Sequence, residues 1–307
     1  MKKFILLSAL IGIYSPVLYS DPVLAAAAQA SYSTPQEGLS AVIEACKKDD
    51  TAALLNIFGS EGRDVVLSGD PSDDKDGRAK FVQAAEKKNK IIPDPKDPNR
   101  VILSIGSEDW PFPIPMIRKD SRWLFDTPAG KQEILARRIG SNELNAIEVC
   151  RAYVEAQFEY AQNHKHNGVP EYAEHIISSP GKTDGLYWEP AKGLPVCEVP
   201  KGFAQAAAGM SIEKREPYRG YYFRILTAQG PDARGGATNY IVGGSMIGGF
   251  ALVAWPAEYG VSGIQTFIVN HDGVVYENHL GPETVRLGAE MTEFNPDPSW
   301  RPVQPSK

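Results

Sequence analysis

Glu143-Leu144-Asn145-Ala146-Ile147-Glu148-Val149-Cys150-Arg151-Ala152-Tyr153-Val154-Glu155-Ala156-Gln157-Phe158-Glu159-Tyr160-Ala161-Gln162 is the stretch from which the fold of the second half follows. Leu144, Ile147, Cys150, Val154, Phe158 and Ala161 recur three and four residues apart, the spacing of one apolar stripe along a helix. Such a stripe needs an apolar surface to cover it. The segments 220–227, 247–255, 264–269 and 274–278 supply strands, and Asn270-His271-Asp272-Gly273 supplies a hairpin turn in which Gly273 can take a positive φ. Alternation in Tyr221-Tyr222-Phe223-Arg224-Ile225-Leu226 puts Tyr221, Phe223 and Ile225 on one face and Tyr222, Arg224 and Leu226 on the other. The first face is expected to meet the helix. A short helix over 282–291 and a tail at 301–307 follow. Residues 141–300 are thus expected to form an α+β domain, one long helix packed on an antiparallel sheet, set off by a break at Gly140-Ser141-Asn142.

Upstream, Thr34-Pro35-Gln36-Glu37 starts a helix: Thr34 caps, Pro35 suits the first turn and Glu37 completes a capping box. Helices over 50–58 and 76–89 and strands over 101–105, 114–117 and 123–125 follow. Two or three helices before a curved antiparallel sheet is a layout similar to cone-shaped α+β domains of the nuclear transport factor 2 kind, expected over 32–140. Trp110-Pro111-Phe112-Pro113-Ile114-Pro115 has a proline at every second position and reads as an edge strand or extended loop.

The chain opens with Lys2 and Lys3, an apolar run and an Ala-rich stretch ending Ala28-Gln29-Ala30, the three parts of a secretory signal. Residues 1–30 are expected to be removed after Ala30, leaving a periplasmic or secreted protein without stable membrane insertion. A formal charge of −6, with basic residues scattered among acids, argues against nucleic acid as a partner. Of the cysteines at 46, 150 and 197, an oxidising compartment favours a Cys150–Cys197 disulfide. Three buried small apolar residues are the alternative. No Cys-x-x-Cys is present.

Glu108-Asp109-Trp110-Pro111-Phe112-Pro113, Arg138-Ile139-Gly140-Ser141-Asn142-Glu143-Leu144, Pro180-Gly181-Lys182-Thr183-Asp184-Gly185-Leu186-Tyr187-Trp188, Gly220-Tyr221-Tyr222-Phe223-Arg224-Ile225-Leu226, Gly249-Phe250-Ala251-Leu252-Val253-Ala254-Trp255-Pro256 and Val269-Asn270-His271-Asp272-Gly273 together resemble the bacterial domain-of-unknown-function family 2950. That resemblance implies an exported protein. The order of helix, Gly-Tyr-Tyr-Phe-Arg strand, Trp255-Pro256 strand and Asp272-Gly273 turn is also similar to the globular heads of type II secretion pseudopilins and pilins. Those polymerise through an exposed apolar helix half, whereas here Glu143 follows another domain, so the likeness implies a head that binds a fibre or envelope protein without forming a fibre itself.

Catalytic motifs are not found. There is no Gly-x-Ser-x-Gly, and the glycine pairs 235–236 and 243–244 do not follow strand–glycine–helix order. His164 and His166 lie in a polar loop without a third ligand at familiar spacing. Asp70, Asp73, Asp74 and Asp76 lack the glycine and closing glutamate of a calcium loop, and fit the entry of a helix. His271-Asp272 resembles two members of a triad with no serine to name. No metal or cofactor is therefore expected. Asp109, Trp110, Tyr187, Trp188, Tyr222 and Arg224 are the candidate binding residues, since aromatics and arginine dominate recognition sites as well as cores. The expected function is non-enzymatic: an exported accessory or binding protein recognising an envelope or extracellular protein. A periplasmic hydrolase or small-ligand enzyme using the first domain's pocket near Asp109 and Trp110 is the alternative, and a self-associating surface protein is a third.

Overall fold

A computed structural model describes residues 29–67, 71–179, 181–188 and 217–304, without the side chain of Asp73. The expected signal segment, apart from Gln29 and Ala30, lies outside the described residues, as do Asp70 and Cys197. The architecture is α+β, and the chain divides into two units, the first ending at Lys131 and the second starting at Gln132.

In the first unit, α1 (Pro35–Lys47) begins at Thr34, whose side chain accepts from the Glu37 amide at 3.2 Å. The Glu37 carboxylate reaches back to the Ser33 amide at 2.9 Å, one residue beyond the cap. Gly38 lets α1 lie close to Met116, since a Cβ there would come within 2.3 Å of the methionine methyl carbon. α2 (Thr51–Phe58) is capped by Asp50 and stops at Gly59, at φ 75°. α3 (Arg63–Val66) and α4 (Pro71–Lys87) complete the helices.

The sheet of this unit contains β1 (Asn89–Asp94), β2 (Asp97–Ile105), β3 (Trp110–Pro111), β4 (Met116–Lys119) and β5 (Arg122–Phe125). The order is β1-β2-β4-β5, with β3 also paired to β2. β1 is an addition to the expected strands: four of its six residues are exposed and none is buried, and its sequence carries Pro93, which coincides with a register shift opposite β2. Asp120 and Ser121 both take positive φ in the two-residue turn joining β4 to β5, the geometry that matches strand twist. The core joins Leu39, Val42, Leu54, Phe58, Leu103, Ile114, Met116 and Phe125.

α5 (Thr127–Asn163) contains the helix expected from residue 143. The expected break at 140–142 is corrected: the helix runs through Gly140, Ser141 and Asn142. One glycine costs a helix only about 1 kcal/mol, too little to end one of this length. Its first turn belongs to the first unit, where the Thr127 hydroxyl donates to the Phe58 carbonyl at 2.7 Å.

In the second unit, β6 (Lys165–His166) and β7 (Val169–Pro170) form a small hairpin. β8 (Tyr221–Leu226) is followed by β9 (Ala228–Gln229), which pairs with β10 (Thr238–Asn239), and by the hairpin of β11 (Ile241–Val242) and β12 (Ser245–Met246). β13 (Ala251–Pro256), β14 (Thr266–Asn270), β15 (Tyr276–Asn278) and β16 (Arg301–Pro302) join β8 in an antiparallel meander, order β16-β15-β14-β13-β8. The turn after β14 forms as expected, with Gly273 at φ 76°. β13 is buried at every position, because both faces of the sheet are covered. α5 covers one face with Ala146, Ile147, Cys150, Tyr153 and Val154. α6 (Thr284–Glu290) covers the other: a Cβ on Gly288 would approach Trp255 Cγ within 2.5 Å. The stripe on α5 is rotated from the expected one, since Leu144 is 61% and Phe158 44% exposed while Tyr153 and Gln157 are buried. Gln157 is tolerated because its amide is fully engaged, Nε2 to the Ala173 carbonyl at 2.8 Å and Oε1 from the Ala173 amide at 2.8 Å.

Candidate functional site

The concavity with the clearest chemical character lies in the first unit. α1, α2, α3 and α4 and the 110–112 segment enclose a cavity of about 320 Å³ lined by Val42, Leu54, Phe58, Phe81 and Phe112, with Trp110 at its margin. The proline-alternating segment explains the placement. Phe112 is turned inward, within 5.5 Å of Phe81 and 6.3 Å of Phe125 between ring centroids, while Trp110 stays 47% exposed and packs edge-on to Phe112 at 6.2 Å. Gly77 on α4 also lines the cavity, and a Cβ there would meet nothing within 4 Å.

Arg78 lies at the same wall, its Nε on the Asp49 carboxylate at 2.7 Å and Nη1 directed to the Val66 carbonyl at 3.4 Å. The cation is already paired. Cys46 shares the wall, and burial pushes its thiol up to about 11, with Arg78 opposing and Asp49 adding to the rise. A neutral thiol is a weak nucleophile. The walls can therefore exclude water and bind apolar surface, but present no activated nucleophile.

Asp109 adjoins this region without entering it. In a left-handed turn, at φ 52°, it holds Lys88 at 2.8 Å and Lys90 at 3.4 Å and accepts from the Ser104 hydroxyl at 3.2 Å. The Lys88 hydrogen bond is the main cause holding its carboxyl below the usual range. A carboxyl kept ionised in this way is unsuited to donate a proton as a general acid.

The other sequence-derived candidates lie in the second unit. Tyr187 is buried and exchanges backbone hydrogen bonds with Ile176 and Ser178, and Trp188 beside it is half-buried. Tyr222 packs on Trp255 at 5.9 Å. The Arg224 guanidinium lies over Trp255 and donates to the carbonyls of Ala289, at 2.5 Å, and of Met291. Tyr222 and Arg224 thus occupy the sheet face under α6, where Arg224 supplies donors that the last turn of a helix lacks. The candidates form two groups, one around each unit's own core.

Cys150 is a free thiol in the structure, and Cys197, its expected bridge partner, lies outside the described residues. Cys150 lies fully buried on α5, and burial pushes it up to about 12. His164 stacks on Tyr160. His166 Nδ1 meets the Ser245 hydroxyl at 3.1 Å, a contact no sequence spacing announces, but Ser245 is only 7% exposed. Among the described residues, no carboxylate orients that imidazole and no serine meets His271. No three His, Cys, Asp or Glu side chains converge as a metal site among the described residues.

The class defined by fold and site is a two-unit α+β chain carrying an apolar pocket without an assembled catalytic group among the described residues. The chain belongs to the family described as “Protein of unknown function (DUF2950)”, whose model matches residues 29–303. No curated protein and no solved structure matches it.

Proposed function

We propose that this chain is an exported, non-catalytic binding protein of the cell envelope, periplasmic or secreted, and that the cavity of its first unit receives an apolar side chain of an envelope or extracellular protein. The aromatic-lined cavity of about 320 Å³ carries this reading. An anchor seated in a desolvated aromatic pocket is the usual energetic centre of a protein interface, and Trp110, nearly half exposed at the margin, supplies surface for the partner to cover. The neutral thiol and paired Arg78 and Asp109 favour binding over catalysis. The nuclear transport factor 2-like form of the first unit and the pilin-like form of the second belong to this proposal, supported by helices preceding an antiparallel sheet and by a long helix on an antiparallel meander.

One observation favours a second reading, uptake of a small apolar molecule: the volume falls at the lower end of the roughly 300–1,000 Å³ of small-ligand pockets. A photo-crosslinking residue at position 110 of the full chain, in its native envelope, separates the two. A discrete protein adduct that disappears in Gly77→Leu, which adds a bulky side chain at the cavity wall, supports the first. Monomer alone, with a solvatochromic apolar dye still entering the purified protein and excluded by Gly77→Leu, supports the second. Failure of both adduct and dye uptake removes the pocket from the function.

A further inference from the structure

Asn167-Gly168 is the only Asn-Gly pair in the chain, and the fold sets it at the tip of the β6–β7 hairpin. His166 pairs with Val169 across it, and both tip residues take positive φ, 50° at Asn167 and 85° at Gly168. This is the two-residue turn that Asn-Gly favours, but it also leaves an electrophile and a nucleophile side by side in solvent. Asn167 is exposed, and its side-chain amide makes no hydrogen bond among the described residues. The Gly168 amide nitrogen likewise has no acceptor there, and a Cβ built on Gly168 would meet nothing within 4 Å. Other exposed asparagines lack one of these features. Asn99 precedes Arg100 and Asn163 precedes His164, whose side chains crowd the nitrogen that follows, and Asn239 uses its side-chain oxygen to accept from the Ile241 amide at 2.9 Å.

Bringing the Gly168 nitrogen onto the Asn167 Cγ requires Asn167 to leave the left-handed region. The hairpin resists this weakly. It has two residue pairs, Lys165 with Pro170 and His166 with Val169, and Lys165, Val169 and Pro170 are exposed. Behind them the Glu171 amide donates to the His164 carbonyl at 3.0 Å. A two-stranded ribbon this short has little stability of its own, so its tip opens far more often than the unit unfolds.

We propose that Asn167 is a site of spontaneous deamidation whose isoaspartate product releases His166 from Ser245. The Gly168 nitrogen forms a bond to the Asn167 Cγ, and the side-chain nitrogen leaves as ammonia, taking up the proton that Gly168 gives. A succinimide ring remains, and water opens it. Attack at the side-chain carbonyl leaves an ordinary aspartate at position 167. Attack at the main-chain carbonyl leaves isoaspartate, in which the backbone runs through the former side chain and gains one methylene carbon. A two-residue connection lengthened in this way no longer matches the His166–Val169 pair. His166 is seated by its Nδ1 on the Ser245 hydroxyl at 3.1 Å, and that contact is lost with the pair.

The test is incubation of the purified full chain at pH 7 and pH 9, followed by peptide mapping with electron-transfer fragmentation, which separates isoaspartate from aspartate. Position 167 is expected to gain one mass unit, to hold more isoaspartate than aspartate, and to convert faster at pH 9, because hydroxide removes the Gly168 proton. Asn99 and Asn239 should stay unchanged over the same period, and Asn167→Gln, whose longer side chain closes a ring far more slowly, should show no gain. A chain that converts in urea but not when folded shows that the turn shields the site and overturns the proposal, as does conversion of Asn99 ahead of Asn167. Hydrogen exchange over 241–246 should be faster in the isoaspartate fraction than in the fresh chain. Equal exchange overturns the release of His166 and leaves the modification standing.

Discussion

The same substitution, glycine to alanine, is expected to change stability in opposite directions at two helical positions. In an exposed helix interior it gains about 1 kcal/mol, because alanine loses less backbone freedom on folding. Gly77 in α4 is exposed, and its Cβ would meet nothing within 4 Å, so Gly77→Ala should realise that gain, a rise in Tm of roughly 4 °C for a unit of this size. Gly288 in α6 has the same intrinsic preference. Its Cβ, however, would lie 2.5, 2.6 and 3.1 Å from Cγ, Cβ and Cδ1 of Trp255, a side chain with 0% exposure. Overpacking of this kind costs about 1–3 kcal/mol. The upper end applies because the nearest atoms adjoin the backbone of β13 and cannot swing away. Gly288→Ala should therefore lose about 1–2 kcal/mol after the helix gain is subtracted. Thermal unfolding measures the sign, and hydrogen exchange followed by peptide mass spectrometry assigns it to a unit. A Gly288→Ala protein as stable as the parent, with unchanged exchange over 281–291, would refute the packing of α6 on Trp255.

Arg224→Met should cost about 2–3 kcal/mol, since it leaves the Ala289 and Met291 carbonyls without their charged donor; faster exchange in α6 checks this, and loss of partner binding at full stability would contradict it. Alkaline titration should weaken the second unit as the pH rises. Burial raises Cys150 from 9.0 to about 12, so its contribution is fully present below pH 9.0 and is lost toward pH 12. Cys150→Ala should flatten that slope in denaturant melts, leaving the part due to Tyr153 and Tyr221, which burial raises as well. Cys46, raised to about 11, should alkylate slowly at pH 8 and faster toward pH 11, and Gly77→Leu should slow it further by narrowing the cavity. Rapid modification at pH 8 would overturn the description of a half-buried neutral thiol.

Much of the fold was legible because local chemistry and tertiary packing agree. Thr34 with Glu37 and the turn ending at Gly273 both do in three dimensions what their residue types favour. The misses arise where a distant partner decides. Leu144 and Phe158 fit the apolar period of α5, yet the face that meets the sheet carries Tyr153 and Gln157, whose polar tips are admitted by acceptors and donors far away in sequence. Arg224 resembled a recognition residue because the carbonyls it caps lie some sixty-five positions downstream. Trp110 was legible as a candidate from its proline-flanked setting, but the cavity beside it depends on Phe81 and Gly77 in α4, and no spacing rule connects those to residue 110. Gln29, whose side-chain amide donates to the carbonyls of Ile57 and Phe125, was illegible for the same reason.

The Gln157 amide presents to Ala173 the donor and acceptor that a neighbouring strand would present. A helix covered only by hydrocarbon can slip by a turn along a sheet with little change in buried area, because oil-like contacts are indifferent to register. A two-pronged polar contact is not indifferent. Displacing α5 by one turn would pair Ala173 with Tyr153, whose single hydroxyl cannot match a donor and an acceptor side by side, or with Ala161, which has neither, and would leave a buried amide incompletely paired on each side. Gln157 thus works as an index mark: it adds modestly to the depth of the native well while raising the energy of the misaligned wells beside it.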